Sequence, residues 1–333
     1  MSNAIIEVKP LGFPWETQDP FLFCAYHRDE YPKGNSLMEV DNEHLIQRNI
    51  GNDFSIKDGW RMYHGSNIPG FPYHPHRGFE TITIVNKGFC DHSDSLGAAG
   101  RFGEGDVQWM TAGSGVQHSE MFPLLDTENK NTLELFQIWL NLPKASKFVP
   151  PHFKMLWHED IPVIKTDTAT IKVIAGHYSE TKAPEPAPDS WAFTPDNEVA
   201  IWNIHIDAGS TFTLPKASQD LSRTLYFYEG DTITIHDQEI APNHGIQLNS
   251  LQDVKITAMN KSASLLLLQG KPIAEPIAKY GPFVMNTDAE IQKAMQEYQL
   301  TQFGGWPWRY PDNVHDADKG RFAKYPDGTL VEK

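Results

Sequence analysis

Short β-forming runs, separated by glycine turns at roughly 8–12-residue spacing, dominate this chain and occur in two blocks. In the first block Phe79–Val85 carries Thr81, Ile82, Thr83, Ile84 and Val85 in succession. Such β-branched side chains fit a pleated, half-buried surface. Lys87-Gly88 ends the run, and Phe89–Ser95, Val107–Thr111 and Leu133–Leu142 read as further strands. Gly97–Gly100 and Gly103–Asp106 read as turns, Gly59–His64 as an earlier strand and Gly65–Tyr73 as a loop. The second block repeats the grammar with Val199–Ile206, Thr211–Leu214, Thr224–Tyr228, Thr232–Ile235, Gly245–Leu248, Val254–Met259 and Ser264–Gln269. This pattern excludes helical bundles and βαβ folds and predicts all-β barrels or sandwiches, here two copies of one barrel. The Pro-rich break Lys182–Ser190 reads as an extended, semi-rigid connector.

One helix is expected, over Asp288–Leu300. Thr287 and Glu290 form a capping box. Ile291, Ala294, Met295 and Tyr298 give it an apolar stripe, and Gly304-Gly305 a stop. The tail beyond holds Trp306, Trp308, Tyr310, Phe322 and Tyr325. These aromatics favour an extension wrapped over its own body, with a dimer contact or pocket lid as the alternative. The expected domains are residues 1–150, 151–285 and, for the helix and extension, 286–333.

A chain of 333 residues with 40% hydrophobic and 11% aromatic content can build two cores. Its formal charge of −15 opposes direct nucleic-acid binding. Two cysteines, Cys24 and Cys90, make no disulfide framework and read as small buried hydrophobes. Met1–Pro10 has no apolar stretch of signal-peptide length, and the longest apolar run, Leu265–Leu268, is too short to span a bilayer. A soluble cytoplasmic protein, with no membrane partner, is the expectation.

The chemistry concentrates between Pro72 and Glu120. His74-Pro75-His76 and His118-Ser119-Glu120 each place two candidate metal ligands two residues apart. On a strand, residues i and i+2 share a face. If the two strands are neighbours in a small barrel, three imidazoles and a carboxylate converge on one point. Such a set suits Fe, Ni, Mn, Co, Cu or Zn. In the second block His205, His236 and His244 have no such partner. His64 and His92 read as ordinary histidines able to line a pocket, and Arg77 as a charge able to pair with an acid.

The residues Gly70, His74, His76, Glu80 and Gly88, followed by Gly105, Gly113 and His118, resemble the two motifs of the cupins. Within the cupins the strings His74–Thr81, Gly105–Gly113, His118–Glu120, Gln137–Asn141 and Tyr280–Thr287 resemble the pirins, over residues 20 to 300 or so. The resemblance implies two tandem cupin barrels, double-stranded β-helices of jelly-roll type, with a C-terminal helix and an aromatic-rich tail. It implies one divalent metal in the first barrel, iron first, held by His74, His76, His118 and Glu120, and a second barrel without ligands. Ordinary cupins use the glutamate of the first motif, so Glu80 is the rival; here it is expected behind the ligands, orienting a histidine.

By resemblance the activity is that of a quercetin 2,3-dioxygenase, with a small aromatic flavonol-like substrate and O2. The flavonol 3-hydroxyl is deprotonated and the ring opens with loss of carbon monoxide. Glu120 is the expected general base. Trp109, Met110, Phe79 and Phe122 are candidates for the pocket wall, against a plain reading as barrel core. A second reading is a non-catalytic, metal- and redox-dependent regulator that binds a protein partner, either a transcription factor or a metabolic enzyme.

Overall fold

The computed structural model describes residues 4–333; residues 1–3 of the expected first domain lie outside the described residues. Ten strands precede residue 157: β1 (Ile5–Pro10), β2 (Phe21–Tyr31), β3 (Gly70–His76), β4 (Phe79–Lys87), β5 (Phe89–Asp94), β6 (Ala99–Gly103), β7 (Val107–Thr111), β8 (Val116–Met121), β9 (Asn131–Asn141) and β10 (His152–Leu156). One sheet has the order β10-β7-β4-β9-β2. A second has the order β6-β5-β8-β3, extended past β6 by the hairpin Phe322–Lys324 and Leu330–Glu332.

Side-chain hydrogen bonds connect the sheets across the barrel interior. Thr83 Oγ1 on β4 lies 2.8 Å from Glu120 Oε1 on β8, and Gln108 Nε2 on β7 lies 3.0 Å from His92 Nδ1 on β5. Because strand side chains alternate, Thr81 and Thr83 face inward. Glu80, Ile82 and Ile84 face the other way.

The second barrel has a seven-stranded sheet that includes β1, His244–Leu248, Ser222–Glu229, Ala263–Gly270, Ala200–Ile206, Ala169–Ala175 and Val163–Lys165, in that order. A four-stranded sheet holds Thr211–Leu214, Val254–Ala258, Ile233–Ile235 and Gln238–Ile240. Its core is almost wholly aliphatic and aromatic, with Ile204, Leu225, Phe227, Ile246, Leu265 and Leu267 all buried. The fold is therefore all-β, two cupin barrels followed by one long helix.

Contacts group the chain otherwise than by sequence order. One compact unit holds Tyr26–Gln137, Lys144–Trp157 and Glu275–Lys333. The other holds the described residues up to Ala25, Ile138–Pro143 and His158–Ala274. The eleven-residue strands β2 and β9 each change unit part-way along.

Three local expectations are corrected. Gly59–His64 is not a strand: Tyr63 sits at φ 59°, outside the β region, and the segment makes only isolated bridges. Residues 182–190 do not precede the second barrel but lie inside it. The strand Ala169–Ala175 before them already pairs with Ala200–Ile206 after them. Residues 70–73, expected as loop, belong to β3.

The helix runs Asp288–Thr301 with its capping box formed, and buries Ile291 and Ala294 against Phe283, Met285 and Phe303. The tail beyond it is wrapped over the first barrel. Trp308 Nε1 donates to Asp94 O, Asn313 Nδ2 to Ser93 Oγ, and Arg101 donates to the carbonyls of His315, Asp316 and Lys319. A charge-paired core secures this strap, since Arg101 also forks onto both carboxylate oxygens of Asp91 at 2.7 and 2.8 Å. Among the described residues no helix is long and apolar enough to cross a membrane, which says nothing of membrane barrels. Cys24 and Cys90 are buried and free.

Candidate metal centre

β3 and β8 are antiparallel neighbours in which His74 stands directly opposite His118. A bulge at residues 72–73, where the register shifts, sets that pairing. The period of two then carries His76 and Glu120 onto the same inward face. His74 Nε2 and His118 Nε2 are 3.1 Å apart. The ligand atoms of His74, His76 and His118 all lie within 4.8 Å of one another. Glu120 Oε2 lies 3.7 Å from His118 Nε2. Two nitrogens held about 2.1 Å from one ion at a right angle are about 3.0 Å apart, so the His74–His118 separation suits two ligands of a single ion.

Backbone carbonyls orient two of the three rings. His74 Nδ1 lies 2.9 Å from Pro72 O, and His76 bonds to the backbone of Pro282. The Pro72 carbonyl accepts from His74 Nδ1–H, which leaves His74 Nε2 with its lone pair toward the cluster. Burial holds all three imidazoles neutral, the form that ligates. It lowers His74 from 6.5 to about 4 and pushes His76 and His118 well below the ordinary value. Glu120 is raised by burial, partly offset by the Thr83 hydrogen bond. Gln137 Nε2 donates to its other oxygen at 3.2 Å. Three neutral nitrogens and one desolvated carboxylate fit a divalent transition ion.

The backbone next to the ligands is pinned by the C-terminal segment of the same unit. Gly78 has φ 85°, and a Cβ there would sit 2.0 Å from Val284 O, so only glycine allows this approach. Arg77, expected to find an acid, pairs with Glu297 of the helix and donates from Nε to Ser114 O at 2.6 Å. Gln117 accepts from Tyr298 Oη at 2.8 Å and donates to Gln302 O at 2.6 Å. The outward-facing neighbours of His76 and His118 thus brace the inward-facing ligands.

The sequence matches a known family over most of its length. The pirin family model matches residues 15–140, and that of the pirin C-terminal cupin domain matches residues 201–304. The chain belongs to the pirin family. A Pseudomonas aeruginosa pirin relative, provisionally named a quercetin 2,3-dioxygenase, is 37% identical over 239 residues, 70% of this chain and 79% of that one. Human pirin is 32% identical over 247 residues, 73% of this chain and 80% of its own. A crystal structure of quercetin 2,3-dioxygenase from Acinetobacter baumannii superposes with a TM-score of 0.68 at 28% identity, covering 86% of this chain and 87% of that one. The strap beyond residue 304 lies outside both matched segments of this pirin.

Several candidate residues are placed away from their expected roles. Glu80 is fully buried on the face of β4 opposite Thr83, where its Oε1 accepts from Trp109 Nε1 at 3.1 Å and Thr111 Oγ1 at 2.8 Å. Its count of residues from His76 misleads because Arg77-Gly78, between β3 and β4, resets the alternation. Trp109 shares that face and is not a wall of the site. Phe79 does flank the cluster, 5.1 Å from the His76 ring. Met110 packs with Ala112 and Val116, and Phe122 joins the aromatic cluster of Tyr63 and Phe71.

His92 lies beside the cluster. It is fully buried, stacks on Phe153 and lies 5.5 Å from the His118 ring, with Asp94 Oδ2 3.2 Å from its Nε2. His64 is exposed and bonds to Gly51 O. Thr83 and Gln137, which hold Glu120, drew no functional reading from the sequence. Their signal is a polar side chain on the inward face of an otherwise apolar strand.

Proposed function

We propose that this pirin is a metal-dependent dioxygenase acting on flavonol-type substrates, with His74, His76, His118 and Glu120 holding one divalent ion, iron first. The observation that carries the reading is the convergence of three neutral imidazoles and a buried carboxylate inside one barrel. The names of the Pseudomonas aeruginosa and Acinetobacter baumannii relatives support the reaction class. Such an ion, when bound, supplies Lewis acidity at positions the four ligands leave open.

Glu120 is the base in this reading. Its raised affinity for a proton matches the removal of a proton from a phenolic hydroxyl. Thr83 Oγ1 lies 2.8 Å from Glu120 Oε1 and 2.7 Å from Gln137 Oε1, yet a hydroxyl has one proton to donate. When Glu120 carries a proton at Oε1, it donates to Thr83 and Thr83 donates to Gln137, which satisfies the whole chain. Once that proton leaves, Thr83 turns its own toward Glu120. Thr83 thereby supports both states of the base. His74, half-buried while His76 and His118 are buried, marks the side from which a substrate enters.

The test is anaerobic purification, metal analysis and quercetin consumption under O2, with His118→Ala as control. One metal per chain and turnover lost in the variant are expected. A bound metal with no turnover across Fe, Ni, Mn, Co and Cu overturns the enzymatic reading.

A further inference from the structure

We propose that the second barrel binds a small aromatic hydroxy acid in its mouth, with Arg223 taking the carboxylate. The cavity there has a volume of about 580 Å³, within the range of small-molecule sites. Trp202, Arg223 and Gln269 line it from three adjacent strands of the seven-stranded sheet. Arg223 stands directly opposite Gln269, and Trp202 opposite Leu267, so all three lie on the inward face with Leu225, Phe227 and Leu265. An apolar barrel is therefore capped at one end by a guanidinium, an amide and an indole N–H.

Burying a charge without a partner is costly, and this charge is incompletely met. Arg223 is 2% exposed, and among the described residues only Nη2 has an acceptor, Pro215 O at 2.6 Å. Its Nε and Nη1 have no hydrogen-bond partner among them. Asp253 and Glu198 act on it through space without a hydrogen bond, and Glu185, Lys182 and Lys216 also line the cavity. Trp202 Nε1 is likewise unpartnered, as is Gln269 Oε1, whose amide nitrogen donates to Glu198 O at 3.3 Å.

That inventory describes the ligand. The guanidinium and indole N–H groups call for acceptors, and the positive charge for an anion. The amide oxygen calls for one donor. A carboxylate answers Arg223, and a ring hydroxyl both accepts from Trp202 and donates to Gln269. Trp202, Phe193 and prolines 184 and 186 give the cavity flat, apolar walls suited to an aromatic ring. Residues 182–186, which lie between two paired strands, form part of the wall of this site.

The experiment is calorimetric titration of the metal-loaded full chain with 3,4-dihydroxybenzoate, benzoate and inorganic phosphate. The indole N–H resonances are followed in parallel, that of Trp202 being assigned with Trp202→Phe. One dihydroxybenzoate per chain is expected, bound about tenfold tighter than benzoate, in keeping with an added hydrogen bond. Arg223→Gln lowers that affinity at least about tenfold, as loss of a charge-assisted bond requires, and His118→Ala leaves it unchanged. Four results overturn the proposal: no saturation by about 10 mM, phosphate bound as tightly as dihydroxybenzoate, affinity retained in Arg223→Gln, or affinity lost in His118→Ala, which moves the acid to the metal centre. Should Arg223→Gln fail to fold by circular dichroism, the Trp202 resonance in the unaltered chain decides. Binding that does not shift it sinks the assignment.

Discussion

The two barrels have the same architecture and opposite interiors. The first points His74, His76, His92, His118, Thr83, Gln108 and Glu120 inward, whereas the second points Ile204, Leu225, Phe227, Leu265 and Leu267 inward. Backbone pairing closes either barrel, so the ladder does not dictate what fills it. What differs is how each interior is held. Aliphatic side chains need only close packing. Imidazoles, amides and carboxylates need partners, and the first barrel supplies them from facing strands and from the C-terminal segment. The division assigns chemistry to one barrel and apolar core stability to the other, save at the mouth where Arg223 sits.

The largest expected effect breaks the first barrel's chemistry alone. His76→Ala removes one of the three imidazoles proposed to hold the metal. Metal content falls from one per chain to near zero, while the metal-free variant keeps the circular dichroism of the parent. Metal retained in that variant would mean that the ligands are elsewhere. The converse change is Phe227→Ala in the second barrel. Removing a fully buried aromatic costs about 3–5 kcal/mol, read by denaturant unfolding, with metal stoichiometry unchanged in the folded protein. If both variants lose metal equally, the two barrels are not the separate compartments described here.

A finer distinction concerns Thr83 and Gln137, which touch Glu120 rather than the imidazoles. Thr83→Val and Gln137→Leu each leave a buried carboxylate oxygen with one fewer donor. Removing such partners weakens metal binding by about 10–100-fold, measurable by chelator competition. An equivalent polar-to-apolar change at Thr257, half-buried in the second barrel and bonded to Thr211, leaves metal affinity unaltered. Loss of affinity there would erase the comparison.

Much of the first barrel was legible because period two is a local property. His74 with His76, and His118 with Glu120, need only their own strands to share a face. Thr287 and Glu290 announced the helix for the same reason, since a capping box is contained within four residues. Failures arose wherever the answer depended on what lay between strands or across the barrel. Glu80 was misplaced because Arg77-Gly78 breaks the alternation. Trp109 followed it to the wrong face by pairing with Ile82. Residues 182–190 read as a connector, since proline content records backbone stiffness and not the partners of the strands on either side. The strap over β5 and β6 was legible only as aromatic content; that its anchors are Asp91, Arg101 and backbone carbonyls is a long-range fact.

Acid titration of the metal-free protein gives the subtlest separation of the two barrels. Burial holds His27 at about 3 and His74 at about 4, and keeps His76 and His118 well below 6.5. Each group has a folded pKa below its unfolded one. Between the two values the unfolded chain binds more protons, so stability is full above about pH 6.5 and is lost as the pH falls toward 4. Glu120, raised by burial, runs the other way, gaining stability as the pH falls through its folded value toward 4.5. His315 is lowered by burial as well and Asp29 is raised like Glu120, so five histidines against two carboxylates leave the net slope that of the imidazoles. Each fully titrating group contributes about 1.4 kcal/mol per pH unit. His76→Ala should therefore flatten the acid limb by about that amount, seen as urea midpoints collected between pH 4 and 7. Phe227→Ala should lower the whole curve and leave its slope alone, because the second barrel's core has no proton to exchange. A slope that changes with Phe227 and not with His76 would place the acid sensitivity outside the metal centre.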